Sequence, residues 1–352
     1  MTLPRVFIVC PALANANNGN WLTASRWSQM LSKNFTVNIG QEWDGEPCDV
    51  MLALHARRSA DSIERWALSK HASTDVPGLA VVLTGTDLYR DIQSDASAQA
   101  SLVYAQCLVV LQDRAPATLP IALQHKARVI FQSTHVLPPA HKTERHLRVV
   151  MVGHLRDEKS PQTLFATARL LKDQADIFID HIGNALDTTL GQQAQTCAKL
   201  YPNYRWLHGL PHTTTLRHIQ RAHVLVHTSR MEGGAHVVLE AVCSGTPVLA
   251  SKIDGNVGML GADYDGYFDF DDAQGLADLL LRCRTDQAHG EGFYTHLSTQ
   301  CSARAPLFAP TSEQATLINL VNELIDKLDY SLSENSLKFN LHEGNLPPYA
   351  ST

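Results

Sequence analysis

Short apolar runs alternate with stretches of helical periodicity along nearly the whole chain. In the first half, candidate strands fall at residues 5–10, 35–39, 49–54, 79–83, 107–111 and 127–131. They are short, aliphatic and bounded by polar segments, as buried strands are. Helical patterns lie between most of them. Leu22, Arg26 and Met30 recur along one such helix, and Asn20 is placed to cap it. Residues 133–146 break the rhythm with Pro138-Pro139 and a polar, basic run, which reads as a linker. A second set follows, with strands at 147–152, 177–181, 204–207, 224–227 and 247–251. Helices lie between these strands and continue through 274–284 and 311–328. No internal repeat or low-complexity tract is present.

This rhythm implies right-handed crossovers and parallel sheets. The expected fold class is α/β, with two doubly wound, Rossmann-like domains facing a cleft. The expected divisions are 1–140, 141–310, a C-terminal helix at 311–329 free to pack back on the first domain, and a polar, loosely held tail at 330–352. A length of 352 residues suits two such domains of about 150 residues each. Ligands of such sheets bind at the carboxyl ends of the strands, so the cleft is where a site belongs.

Composition removes several classes of function. The formal charge of −6 argues against a life on nucleic-acid phosphates. Seven cysteines, odd in number, widely spaced and without a Cys-x-x-Cys pair, read as reduced thiols rather than a disulfide framework. Val6, Ile8 and Val9 read as a first buried strand, not a signal sequence, because Pro11 ends the apolar run early. No run approaches the roughly 20 apolar residues of a membrane span, and a cytoplasmic location is expected. His208 and His212, and His223 and His227, have a zinc-like spacing. The second pair falls on a predicted strand, where it would be ~13 Å apart, so no metal site is expected. Pro11-Ala12-Leu13 after the first strand is not the glycine-rich turn of a nicotinamide enzyme.

Two segments of the second half carry chemistry. After the strand ending near His227, a loop with Ser229, Glu232, Gly233 and Gly234 leads into a helix that starts near Ala235 or His236. The glycines permit close backbone approach to a ligand at a helix N-terminus, whose free N–H groups favour anions. Glu240 lies within an apolar run and must find a partner if buried: a structural cation, solvent or the hydroxyls of a ribose. Farther upstream, Val152-Gly153-His154-Leu155-Arg156-Asp157-Glu158-Lys159-Ser160-Pro161 follows the first strand of the second set. Arg156 and Lys159 there can neutralise a diphosphate, or form surface pairs with Asp157 and Glu158.

Glu232 and Glu240, with seven residues between them, Glu-Gly at the first and Glu-Ala-x-x-x-Gly-x-Pro-Val at the second, resemble the donor site of the retaining GT-B glycosyltransferases of family 4. The likeness extends through Leu207-His208-Gly209-Leu210 and Arg221-Ala222-His223-Val224 and covers most of residues 147–252. It implies that Glu240 holds the donor ribose. It implies that Glu232, Gly233, Gly234, Ala235 and His236 hold sugar and phosphates, and that Gly209 and Leu210 lie near the uracil. Arg156 and Lys159 would stabilise the leaving diphosphate without a metal, so no cofactor is expected. The family usually carries Gly-Arg-Leu-x-x-Glu-Lys-Gly; here His154 takes the arginine position and Ser160 the second glycine position, and Arg156 is placed to substitute.

In such enzymes the first domain chooses the acceptor. Three polar loops at predicted strand ends qualify: Asn17, Gly19 and Asn20; His55 and Arg57 with Arg58; and Thr84, Gly85, Thr86 and Asp87, with Arg90 one turn on. His55 and Asp87 would orient substrates, and the arginines suit an anionic acceptor. LTGTDLYRD, HLRDEKSP and the stretch from Asp254-Gly255-Asn256 through DYDGYFDF resemble one subgroup, the bacterial selenosugar synthases of selenoneine biosynthesis. That likeness implies transfer from UDP-N-acetylglucosamine to selenophosphate, with small-molecule substrates and no nucleic-acid or membrane partner. A carbohydrate, lipid or thiol acceptor, or a silent nucleotide-sugar-binding module, stays open.

Overall fold

The computed structural model describes residues 2–12, 19–138, 140–287 and 292–342, with side chains placed as far as residue 326 in the last helix. The first domain contains β1 (Arg5–Val9), α1 (Gly19–Leu31), β2 (Thr36–Gly40), β3 (Val50–Leu54), α2 (Ala60–Ser69), β4 (Val76–Val82), α3 (Ile92–Ser94), α4 (Ala96–Tyr104), β5 (Ala105–Val110) and β6 (Ala127–Val129). The second contains β7 (Leu147–Val152), α5 (Pro161–Leu170), β8 (Ile177–Ile182), α6 (Thr188–Leu200), β9 (Tyr204–Trp206), α7 (His212–Arg221), β10 (Val224–His227), α8 (His236–Cys243), β11 (Val248–Ser251), α9 (Asp254–Leu260), β12 (Tyr267–Phe268), α10 (Ala273–Asp286) and α11 (Phe293–Arg304). The chain then forms α12 (Pro310–His342).

Among the described residues each sheet has six strands, in the orders β2-β1-β3-β4-β5-β6 and β12-β11-β10-β7-β8-β9, and every pairing is parallel. This is the expected pair of doubly wound domains. Strands such as Val50–Leu54 are buried at every position, because helices cover both faces. β4 starts three residues before the expected strand, since Val76 pairs with Ala105 across a register shift. β12 is only two residues long and carries no pattern from which to predict it. α1 begins at Gly19, so Asn20 lies inside its first turn and is not the cap.

The apolar spacing of α12 decides where it docks. Leu317, Leu320, Val321 and Leu324 fall on one stripe and join Ala24, Trp27 and Leu31 of α1 in the first-domain core. Burying such side chains stabilises by roughly 1.5–3 kcal/mol each. The helix passes residue 330, where a tail was expected, and runs to His342. Residues 343–352 lie outside the described residues.

One carboxylate fastens this crossing. Glu313 of α12, buried at 1% exposure, accepts from Arg26 Nε (2.9 Å), Arg26 Nη2 (3.0 Å) and Trp27 Nε1 (2.7 Å). It also accepts from the backbone N–H (2.8 Å) and hydroxyl (2.5 Å) of Ser133, in the interdomain linker. α1, the linker and α12 therefore meet on one charge. Removing it would strand a largely buried guanidinium without its carboxylate. Glu313→Ala is expected to lower unfolding stability by about 3–5 kcal/mol, read by urea denaturation; a loss within 0.5 kcal/mol, about the size of a surface change, would contradict this account.

Candidate functional site

The two domains touch where their glycine loops meet. A Cβ on Gly233 would stand 2.5 Å from the Thr84 carbonyl, and one on Gly85, at φ +139°, would stand 3.0 Å from Gly233 N. Gly234 packs likewise against Leu111, and Gly255 against the Glu232 carbonyl. Backbone contact this close is open only to glycine. It brings the carboxyl-end loops of both sheets onto one cavity of about 400 Å³, within the range of small-molecule sites.

From the first domain, Gly19, Asn20, Thr84, Gly85, Thr86, Arg58 and Arg90 line it. From the second come Arg156, Glu158, Lys159 and the run Glu232, Gly233, Gly234, Ala235 and His236. Most residues singled out in the sequence thus converge. Asn17 lies outside the described residues. A larger cavity, about 640 Å³, opens between α7 and β8 and contains none of them.

The cations come from different elements and meet two carboxylates. Lys159, in the turn before α5, donates to Glu232 Oε1 at 2.5 Å. His227 Nε2 lies 3.4 Å from the same oxygen, and its Nδ1 lies 3.0 Å from Asn256 Oδ1. Burial would raise the Glu232 pKa, but Lys159 and His227 hold it well below the usual carboxylate range. Glu158 lies between Arg90 of the first domain and Arg156 of the second, 3.8 Å from each. Ser160 closes the turn at φ +43°, ψ +55°, the left-handed conformation that favours glycine. That is the physical reason a glycine is usual there.

His154 does not line the cavity. Its Nδ1 accepts from Asn184 N–H at 3.1 Å, and burial, then Arg156 and Lys159, lower its pKa. Arg156 lines the cavity instead. Under this loop, His181 holds the Gly153 carbonyl through Nε2 at 3.3 Å and the Tyr204 hydroxyl through Nδ1 at 2.9 Å. Burial lowers its pKa to about 4.

Glu240 is 5% exposed, and its partners are histidines. Oε1 accepts from His212 Nε2 at 2.7 Å and from His236 Nδ1 at 3.1 Å. Burial pushes the Glu240 pKa up, yet these hydrogen bonds bring it down to about 2. The bond to Glu240 raises that of His212 in turn, against burial. Gly209 and Leu210 stand outside the cavity lining; Gly209 N–H donates to Asn184 Oδ1 at 2.9 Å. Their loop leads to His212, which brings it against Glu240.

His55 and Asp87, expected to orient substrates, lie behind the loops. Neither lines the cavity, and both are buried. Asp87 accepts from the N–H groups of Thr84 and Gly85 at 2.9 Å and of Ala56 at 3.0 Å, so it shapes the loop that meets Gly233. His55 sits at φ +73° with Nε2 3.2 Å from Thr86 Oγ1, and burial lowers its pKa despite Asp87. Arg57 also turns away from the cavity, its Nε 3.3 Å from Asp91. Arg26 and His212 were missed as site residues, because their partners are remote in sequence. Among the described residues, no cluster suited to a metal ion occurs, and no helix is long and apolar enough to cross a membrane.

Residues 138–296 match the family described as "Glycosyl transferases group 1". The matched stretch spans most of the second domain. No curated protein matches the chain in sequence. Sucrose-phosphate synthase from Thermosynechococcus elongatus shares 15% identity at a TM-score of 0.71, over 92% of this chain and 100% of that one. Anabaena HepE in complex with UDP-glucose shares 13% at 0.67, over 91% and 100%. S. aureus TarM, solved with UDP, shares 15% at 0.59; the match covers 78% of this chain and only 55% of the longer TarM chain. These likenesses establish the GT-B fold, in which the matched domain forms one wall of the cleft.

Two outcomes follow from this geometry. The Glu240 carboxylate is favoured as pH rises above its folded value of about 2, and the His212 cation is favoured until pH passes its raised value. The pair is therefore strongest between 4.5 and 6.5, the ordinary values of the two groups, and weakens above and below. By NMR, His212 should titrate above 6.5 and fall back in Glu240→Gln; an unchanged titration would contradict the pairing. Gly233→Ala should reduce turnover by about tenfold or more through misplacement of the two walls; full activity would show that the glycine contact is dispensable.

Proposed function

We propose that this chain is a glycosyltransferase of family 4 type that moves N-acetylglucosamine from UDP to selenophosphate. The observation that carries the reading is the convergence of Arg58, Arg90, Arg156 and Lys159, from both domains, on the cavity that holds the Glu232–His236 run. Four cations against Glu158 and Glu232 favour two anionic substrates over a neutral sugar or a lipid. The subgroup likeness supports selenophosphate as the acceptor, and the UDP in related folds supports the donor.

In this reading Glu240 binds the ribose. Both histidines meet Oε1, so Oε2 accepts a ribose hydroxyl. The α8 N-terminus, Arg156 and Lys159 receive the diphosphate, and Glu232 a sugar hydroxyl. Selenium, already anionic, attacks the anomeric carbon. The C–Se bond forms as the bond from carbon to the phosphate oxygen breaks, and UDP departs with that electron pair. The phosphoryl group stays on selenium, and no proton need be removed. Positioning and leaving-group stabilisation supply the catalysis. Arg58 and Arg90, across the cleft, hold the acceptor, and no metal is required for charge balance.

UDP release from UDP-N-acetylglucosamine should depend on selenophosphate. Release driven only by a sugar, lipid or thiol would overturn the acceptor assignment, and binding without any turnover would make the chain a nucleotide-sugar module. Glu240→Ala should raise the donor KM about tenfold or more, as loss of a buried charged hydrogen bond does. Lys159→Ala should cut kcat by about 10²–10³. Wild-type kinetics in both would refute the assigned roles.

A further inference from the structure

A polar line crosses the cleft from the domain seam to Glu240. Arg26 of α1 rests on Glu313 through Nε and Nη2, and its Nη1 lies 3.4 Å from His236 Nε2. His236, at the start of α8, reaches Glu240 Oε1 through Nδ1 at 3.1 Å. A guanidinium only donates hydrogen bonds. Its contact with Nε2 therefore requires a lone pair there and places the imidazole proton on Nδ1, the nitrogen facing Glu240. A first-domain cation thereby selects the tautomer in which a second-domain histidine donates to the buried carboxylate.

The seat of Arg26 makes this selection depend on domain position. Glu313 also holds Trp27 and the linker residue Ser133, so the guanidinium is fixed relative to the seam. Only 19% of the Arg26 side chain is exposed. His236 moves with the second domain. Opening the cleft withdraws Nη1 and frees His236 to exchange tautomers or rotate, which takes one of two donors from Glu240 Oε1.

We propose that Arg26 is a positioning residue for Glu240, acting through His236, and that it couples closure of the cleft to nucleotide affinity. The inference rests on the reading of Glu240 as the ribose carboxylate. By linkage, bound nucleotide favours the closed cleft as strongly as closure favours the nucleotide. The remainder of the guanidinium fork is structural, so substitutions must separate the two tasks. Arg26→Lys keeps a cation for Glu313, but one ammonium on a shorter reach cannot serve both Glu313 oxygens and His236.

UDP titration calorimetry needs no acceptor and tests this directly. Arg26→Lys and His236→Ala should each weaken UDP binding about tenfold, in the usual range of coupling between sites. The double variant should bind no more weakly than His236→Ala alone, because Arg26 acts only through that ring. Losses that multiply, or an Arg26→Lys variant with wild-type affinity, would overturn the proposal. A fall in melting temperature does not confuse the result, since the comparison within the His236→Ala background cancels it. Wild-type protein that fails to bind UDP, or UDP binding that survives Glu240→Ala, would instead refute the ribose assignment, and the inference with it.

Discussion

The contact between Gly85 and Gly233 sets the distance between the two sheets. Any side chain at Gly233 would occupy the space of the Thr84 carbonyl. With hydrogen in that place, the loop after β4 and the loop after β10 lie backbone against backbone. Asp87 holds the first loop by two of its own N–H groups. The second is held by Gly255 packing on the Glu232 carbonyl. Neither loop carries a regular element through the contact, so the glycines and Asp87 do what secondary structure does elsewhere. The lining residues of both domains flank this contact.

Electrostatics then act on that frame. The chain is acidic overall, yet the cleft gathers four cations. Lys159 and Glu232 satisfy each other at low exposure, 15% and 13% for the side chains. Glu158 spreads its charge between two arginines at longer range, both about half exposed. Such exposed pairs are weak, worth about 0–1 kcal/mol, and so are readily exchanged for a phosphate. The close pair keeps Lys159 in place, while the loose pairs leave Arg90 and Arg156 adaptable. This division suits a site that must both hold an anion and let it leave.

Much of this was legible in the sequence, and the reasons differ by residue. Strands buried on both faces write themselves as aliphatic runs, so the two sheets could be read directly. The Glu232–Glu240 spacing and Lys159 were also legible, because a loop and the helix after it keep their residues together. His55 and Asp87 were placed at the right loops, but their side chains turn inward. A strand end predicts where a side chain starts, whereas a left-handed residue and a ring of backbone donors decide that it turns inward. His212 was read only as half of a histidine pair, since its bond to Glu240 spans 28 residues. Arg26 and Glu313 lie 287 residues apart, on helices that no local pattern brings together. Ser160 stood out as a departure from a motif, and its left-handed backbone explains the motif.

The central claim is that the contact of the two glycine loops creates one site for a nucleotide diphosphate sugar. A crystal structure with UDP-N-acetylglucosamine bound tests this most directly. The account predicts the ribose on Glu240, the diphosphate between the α8 N-terminus, Arg156 and Lys159, and Gly85 still against Gly233. A diphosphate bound elsewhere, or a ribose with no contact to Glu240, would contradict it.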